Sequence, residues 1–95
     1  MDIVELRKFK PQIELLAKNN KVSNVRVFGS VARGEQNLTS DVDLLVTLSP
    51  KASLLDLGGL LKDLKDLLKC RVDVVSDDSI HPYIRENILK EALSL

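Results

Sequence analysis

Aromatic side chains are scarce in this chain, which has no tryptophan, one tyrosine and two phenylalanines. The three rings belong to Phe9, Phe28 and Tyr83, and they are too few to form a stacking platform for single-stranded nucleic acid. Charge of one sign is also not in excess, because 14 Lys and Arg residues balance 14 Asp and Glu residues. Without a net positive field, direct binding of nucleic acid is not expected.

Cysteine occurs once, at Cys70, so that an intrachain disulfide and the usual zinc-ligand patterns are excluded. We interpret Cys70 as a small, partly buried residue at a helix end. No apolar run approaches the roughly 20 residues of a membrane span. The chain does not begin with a basic segment followed by an apolar one, so a cytoplasmic protein without membrane contact is expected. Its 95 residues predict a single domain, residues 1–95.

The apolar spacing predicts helices that alternate with short strands, and thus an α/β fold with a small mixed sheet of three to four strands flanked by helices. The first predicted helix is capped by Asp2 and kinks or restarts at Pro11; two strands follow, over 25–28 and 43–48, separated by a short helical turn and a polar loop with Gly34 and Asn37. A second helix is capped by Ser53 or Asp56 and ends near Lys69. It is followed by a strand over 71–76 and by a last helix that starts at Asp78 or Ser79, with Pro82 in its first turn.

Leucines dominate the longest predicted helix, at spacings of three and four that indicate a core-facing stripe. The stripe consists of Leu54, Leu57, Leu61, Leu64 and Leu68, widened by Leu55, Leu60 and Leu67. Its width is explained either by a wide buried face or by a docking surface over part of it. In the last helix, the residues expected to face inward are Ile84, Ile88, Leu89 and Ala92.

Two aspartates open the second predicted strand. Asp41 and Asp43 lie at i and i+2, and because side chains alternate along a strand they project from the same face. Like charges held together repel, unless a hard cation such as Mg²⁺ lies between them. The preceding strand ends at Gly29 and Ser30, where a Gly-Ser turn allows a phosphate to approach the backbone and adds a hydroxyl. The pattern predicts a site for a metal ion and phosphates, although Asp41 could simply belong to a turn with Ser40 and Asp43 to a solvated edge strand.

Three other residues are weaker candidates. Asp73 interrupts an apolar run in the third strand, either as a third site carboxylate or as a carboxylate on the exposed face of an alternating strand. Arg33 has the forked geometry that suits phosphate oxygens, but a solvated or helix-capping arginine is equally compatible with its position. His81 is either a catalytic base or a cap or surface residue near a helix start.

These residues resemble the nucleotidyltransferase superfamily typified by DNA polymerase beta and kanamycin nucleotidyltransferase. More closely, the chain is similar to the minimal nucleotidyltransferases, the MntA-type antitoxins encoded beside HEPN-domain toxins. The matching segments are Phe28-Gly29-Ser30-Val31-Ala32-Arg33-Gly34, Ser40-Asp41-Val42-Asp43-Leu44, Val72-Asp73-Val74-Val75 and His81-Pro82-Tyr83-Ile84-Arg85.

The resemblance implies specific roles for these residues. Asp41 and Asp43 would bind the Mg²⁺ ion that carries ATP and would share a second Mg²⁺ with Asp73, which is also a candidate proton acceptor. Gly29 and Ser30 would hold the β and γ phosphates, with Arg33 as an additional ligand.

The resemblance also implies a reaction and a partner. The leading hypothesis is transfer of AMP from ATP to a tyrosine of a cognate HEPN-domain toxin ribonuclease. Two alternatives remain open: an antitoxin that acts by binding alone, and a nucleotidyltransferase for a small molecule that forms its pocket as a homodimer.

Overall fold

The computed structural model describes residues 1–35 and 41–95, which form a mixed four-stranded sheet flanked by helices. The helices are α1 (Ile3–Lys8), α2 (Lys10–Asn19), α3 (Gly29–Arg33), α4 (Leu54–Leu68) and α5 (Pro82–Glu91). The strands are β1 (Val22–Phe28), β2 (Val42–Leu48), β3 (Val72–Ser76) and β4 (Leu93–Ser94). The predicted fold class is therefore confirmed. The predicted loop residue Asn37 and the turn residue Ser40 lie outside the described residues.

Strand order in the sheet is β3-β2-β1-β4. Strand β2 pairs with β1 in the antiparallel direction and with β3 in the parallel direction. As a result, the end of β1 and the beginnings of β2 and β3 meet at the same end of the sheet. The short strand β4 pairs with β1 at Arg26 and Val27 and adds a fourth strand to the three located from the sequence.

One face of the sheet carries the hydrophobic core. Helix α2 packs on β1, helix α4 packs on β3, and the two helices contact each other. The buried residues of this core are Leu6, Ile13, Ala17, Val22, Val27, Val31, Val42, Leu44, Val46, Leu60, Leu64, Leu68 and Val72. Each fully buried aliphatic side chain of this kind contributes about 1.5–3 kcal/mol relative to an exposed one. Within the described ranges, no helix is long and apolar enough to cross a membrane.

The helix starts follow the capping signals of the sequence. The Asp2 carboxylate accepts a hydrogen bond from the Glu5 amide at 2.8 Å and begins α1. Pro11 lies in the first turn of the separate helix α2, where its missing N–H costs nothing. The Asp56 carboxylate accepts a hydrogen bond from the Ser53 amide at 2.9 Å, so these two residues cap α4 together.

The last helix begins later than predicted, at Pro82 instead of Asp78 or Ser79. The reason is a hydrogen-bonded turn after β3. The Ser76 hydroxyl donates to the Asp78 carboxylate at 2.7 Å, and the Ser79 amide donates to the Ser76 carbonyl at 3.1 Å. Side-chain bonds of this kind compete with helix formation and favour a turn.

Several predicted core residues are exposed. In α4 the buried row is Leu60, Leu64 and Leu68, whereas Leu54 is 81% exposed because it is the first residue of the helix. In α5, Ile84 and Leu89 are 51% and 41% exposed, and their predicted inward orientation is wrong.

Polar contacts explain the orientation of α5. The Arg85 guanidinium donates to the Asp77 carbonyl at 2.7 Å, and Glu91 pairs with Arg33. These polar contacts, and not an apolar stripe, hold the helix. Ile88 and Ala92 are half-buried. Cys70 is half-buried against the core, as predicted.

Candidate active site

A glycine turn and an aspartate are packed directly against each other at one end of the sheet. Gly29 follows the last residue of β1 and adopts a left-handed φ of 75°. A Cβ atom added to Gly29 would collide with the carboxylate of Asp43 and would lie 3.2 Å from its Cγ atom. Strand pairing explains the approach, because Phe28 lies opposite Asp43 in the register of β1 and β2. Glycine is therefore required here both by the backbone conformation and by the neighbouring carboxylate.

Three aspartates are gathered at this end of the sheet. Asp43 and Asp73 are register partners on the parallel strands β2 and β3, so their side chains leave the sheet on the same face. Asp41 lies two residues before Asp43, immediately ahead of β2. Asp43 is half-buried, whereas Asp41 and Asp73 are exposed. Burial first, and then the negative charges of Asp73 and Asp41, raise the pKa of the Asp43 carboxyl above its usual range.

The strand order and register can be compared with two alternatives: an edge-strand position for Asp43 and an exposed-face position for Asp73. Asp43 does not lie on an edge strand, because β2 is flanked by β3 and β1. Asp73 does lie on the exposed face of an alternating strand, but that face is the one that it shares with Asp43. The parallel register is what joins the two carboxylates.

The donor chemistry of the trio suits a hard divalent cation, since all the groups are carboxylates and their mutual repulsion would be relieved by positive charge. Across residues 1–35 and 41–95, no three His, Cys, Asp or Glu side chains are already arranged as a closed set of metal ligands. Asp41 and Asp73 are exposed, whereas Asp43 is half-buried against Gly29.

Arg33 and Ser30 lie on helix α3, which contacts β2. Ser30 is half-buried in the first turn. The Arg33 guanidinium donates from Nε to Glu35 at 3.0 Å and from Nη1 to Glu91 at 2.7 Å. Hydrogen bonding to Glu35, followed by the charge of Glu91, raises the pKa of Arg33. This arginine is therefore half-exposed and held by two carboxylates, not simply solvated.

Glu91 was not identified from the sequence. It is 58 positions from Arg33, and only the placement of α5 beside α3 brings the two side chains together. A local motif around Glu91 could not have indicated the contact.

His81 caps helix α5. Its Nδ1 atom accepts a hydrogen bond from the Tyr83 amide at 3.2 Å, and its ring stacks on that of Tyr83 with centroids 5.1 Å apart. The capping alternative is confirmed.

A cavity of about 530 Å³ lies at the opposite end of β1, where it is lined by residues from α2, β1 and β4. Its charged lining consists of Lys10, Glu14, Lys18 and Lys21. None of the candidate site residues borders this cavity.

Comparisons with known proteins identify the family of this chain. The family model described as nucleotidyltransferase domain matches residues 6–95. A protein of Methanocaldococcus jannaschii provisionally named a protein adenylyltransferase is 41% identical over 95 residues, covering 100% of this chain and 99% of the relative. The protein adenylyltransferase MntA of Thermococcus cleftensis is 40% identical over 72 residues, covering 76% of this chain and 73% of that protein.

Solved structures show the same fold. One that is provisionally described as a minimal nucleotidyltransferase superposes with a TM-score of 0.89 at 43% identity, covering 100% of this chain and 97% of the other. A toxin-antitoxin crystal structure with AMP-PNP superposes with a TM-score of 0.75 at 23% identity, covering 90% of this chain and 70% of the other. The similarity to minimal nucleotidyltransferases that was inferred from the motifs is confirmed.

Gly29→Ala should destabilise the protein far more than Gly34→Ala. Gly34 also has a left-handed φ, of 72°, but a Cβ there meets no atom of residues 1–35 and 41–95 within 4 Å. We expect a loss of about 1–2 kcal/mol at Gly34 and of about 3 kcal/mol or more at Gly29, measured by chemical denaturation. The excess at Gly29 should shrink when Asp43 is also changed to alanine. Equal losses at the two glycines would contradict the proposed contact with Asp43.

Asp43→Asn should stabilise the metal-free protein, increasingly so at higher pH. Because the pKa of Asp43 is raised in the folded state, its ionisation is less favourable there than in the unfolded chain. The wild type therefore loses stability as pH rises through the unfolded and then the folded pKa of Asp43. The asparagine variant has no carboxyl group at this position, so it does not lose stability in this way. We expect the stability gain of Asp43→Asn to grow as pH rises from acidic to neutral, measured by urea denaturation in EDTA.

The matched control for this experiment is Asp66→Asn, on the exposed side of α4, which should change stability by less than about 0.5 kcal/mol. At saturating Mg²⁺ the wild type should become more stable than Asp43→Asn, because ligand binding stabilises only the form that binds it. A stability gain that is the same at every pH would contradict the electrostatic explanation.

Proposed function

Because the chain belongs to the nucleotidyltransferase domain family, we propose that it transfers AMP from ATP to a tyrosine hydroxyl of a cognate HEPN-domain toxin ribonuclease and thereby neutralises that toxin. The observation that carries the proposal is the register of β2 and β3, which sets Asp43 beside Asp73 next to the Gly29 turn. Proteins of similar sequence are named protein adenylyltransferases, which favours a protein as the acceptor.

The triphosphate of ATP would lie between the Gly29 turn and the aspartates. The Gly29 turn would present backbone N–H groups to a phosphate, and the Ser30 hydroxyl would supply a further donor. Arg33 would add a charged donor from the last turn of α3. These contacts would hold the β and γ phosphates, which depart together as the leaving group.

Two Mg²⁺ ions would be held by Asp41, Asp43 and Asp73. When bound, Mg²⁺ would offset the charge of the phosphates and favour ionisation of the attacking hydroxyl. The half-buried Asp43 lies against Gly29 and beside its register partner Asp73, so it would be the central member of the set.

The transfer step is an in-line displacement at the α-phosphorus. The acceptor hydroxyl oxygen forms a bond to the α-phosphorus, the bond from that phosphorus to the bridging oxygen breaks, and pyrophosphate leaves with the bonding electrons. Asp73 would accept the hydroxyl proton. It lies on β3, the edge strand of the sheet, and is exposed, so an acceptor protein can approach it from outside.

The acceptor would be a separate protein that presents its hydroxyl at this open edge. One structural relative is a toxin-antitoxin complex that contains the nucleotide analogue AMP-PNP. An AMP group on the toxin would add phosphate charge near a site that must bind RNA, which would weaken RNA binding by repulsion.

Incubation of the chain with its HEPN-domain partner, ATP and Mg²⁺ should add AMP to the partner. Intact-mass analysis should show one or more AMP units, and peptide mapping should place them on tyrosine. We expect Asp41→Asn combined with Asp43→Asn to reduce the rate by at least about a thousandfold, because the electrostatic support of the transition state is lost. Glu86→Gln, in an exposed ion pair with Lys90 on α5, is the matched control and should retain full activity.

Three outcomes would contradict the proposal. Toxin neutralisation without any AMP adduct would show an antitoxin that acts by binding alone. An adduct formed equally well by the double variant would show that the aspartates are not the catalytic groups. Transfer of AMP to a small molecule but not to the partner would show that the acceptor is a small molecule and not a protein.

A further inference from the structure

Arg33 is held from two sides. Its Nε atom donates to Glu35 at 3.0 Å and its Nη1 atom to Glu91 at 2.7 Å, and neither bond uses Nη2. A guanidinium is planar, so fixing two of its nitrogens also fixes the direction of the third. The two carboxylates thus determine where the remaining amino group of Arg33 points.

The two carboxylates are not equivalent. Glu35 is only two residues from Arg33, and its side chain is 67% exposed. Exposed ion pairs of this kind contribute little to holding a side chain in place. The Glu91 side chain is 26% exposed and comes from a distant part of the chain.

Glu91 is itself fixed by the fold. It is the last residue of α5, and β4 begins two residues later by pairing with β1 at Arg26 and Val27. Helix α5 is held at its other end, where the Arg85 guanidinium donates to the Asp77 carbonyl. The position of Glu91 therefore depends on the sheet, and the position of Arg33 depends on Glu91.

The Arg33–Glu91 pair lies beside the carboxylate trio. Arg33 ends helix α3, which begins at Gly29 against the Asp43 carboxylate and contacts β2, and helix α5, which ends at Glu91, packs on α3. The pair is thus close enough to the site to influence a ligand bound there.

We infer that Glu91 is a positioning residue that holds the guanidinium of Arg33 toward the nucleotide phosphates. This inference rests on the proposed function, since it assigns a phosphate to Arg33. A prepositioned guanidinium loses less conformational freedom when a phosphate binds than a free one does. Glu91 also carries a negative charge, which alone would weaken binding of an anionic nucleotide, so the two effects of Glu91 have opposite signs.

Substitutions at Glu91 separate positioning from charge. Glu91→Ala removes both the charge and the contact, whereas Glu91→Gln removes the charge and retains an oxygen that can accept from Arg33. We expect Glu91→Ala to raise the dissociation constant for ATP, and the KM for ATP in the transfer reaction, about tenfold, with kcat changed less than about twofold. Glu91→Gln should restore most of the affinity.

A double-mutant cycle tests whether Glu91 acts through Arg33. With Arg33→Ala already present, Glu91→Ala should have no further effect on ATP affinity. Glu86→Gln on the exposed surface of α5 is the control and should leave affinity unchanged. If Glu91→Ala does not fold, as judged by circular dichroism, Glu91→Gln compared with Glu91→Asp in the same two backgrounds provides the measurement.

Direct titration with ATP and Mg²⁺ distinguishes failure of this inference from failure of the proposed function. Wild type that binds ATP but modifies no protein would contradict the proposed function and leave the Glu91 comparison intact. Tighter ATP binding in Glu91→Ala and Glu91→Gln would show that charge repulsion dominates and would overturn the inference. Unchanged affinity, or an effect that persists without Arg33, would overturn it as well.

Discussion

Parallel pairing of β2 with β3 forces Asp43 and Asp73 together, and the proposed chemistry of this protein depends on that constraint. The backbone hydrogen bonds of the strands hold the two carboxylates on one face, although their charges repel. The Asp43 carboxylate lies directly against Gly29 at the neighbouring strand end, in the space that a side chain at Gly29 would occupy. The fold thereby maintains a concentration of negative charge that a divalent cation would relieve.

The two faces of the sheet divide structural and chemical roles. Strand alternation places the apolar residues of the core on the face covered by α2 and α4, and the aspartates on the other. That second face also carries a polar cluster, in which Asp77 accepts from Arg26 at 3.2 Å and from Thr47 at 2.7 Å. Substitutions at the aspartates should therefore affect ligands more than the integrity of the core.

Sequence reasoning located the parts of the site that depend on local geometry. The spacing of Asp41 and Asp43 follows from the two-residue period of a strand, and the turn at Gly29 follows from the need for a left-handed backbone. The register that joins Asp43 to Asp73 depends on strand pairing, so the sequence alone left the role of Asp73 open. Glu91 depends on tertiary packing and was missed. The predicted orientation of α5 was wrong for the same reason, because polar contacts hold this helix in place and its apolar residues do not.

The central claim is that nucleotide and metal bind at the end of the sheet formed by Gly29 and the three aspartates. Paramagnetic Mn²⁺, which accepts the same oxygen ligands as Mg²⁺, can be added with ATP to the isotopically labelled protein and observed by NMR. The account predicts selective broadening of amide signals at residues 29–33, 41–43 and 72–74, with sharp signals at residues 22–24 at the other end of β1. It also predicts that Asp41→Asn with Asp43→Asn abolishes the broadening. Broadening centred elsewhere, or unchanged in the double variant, would contradict it.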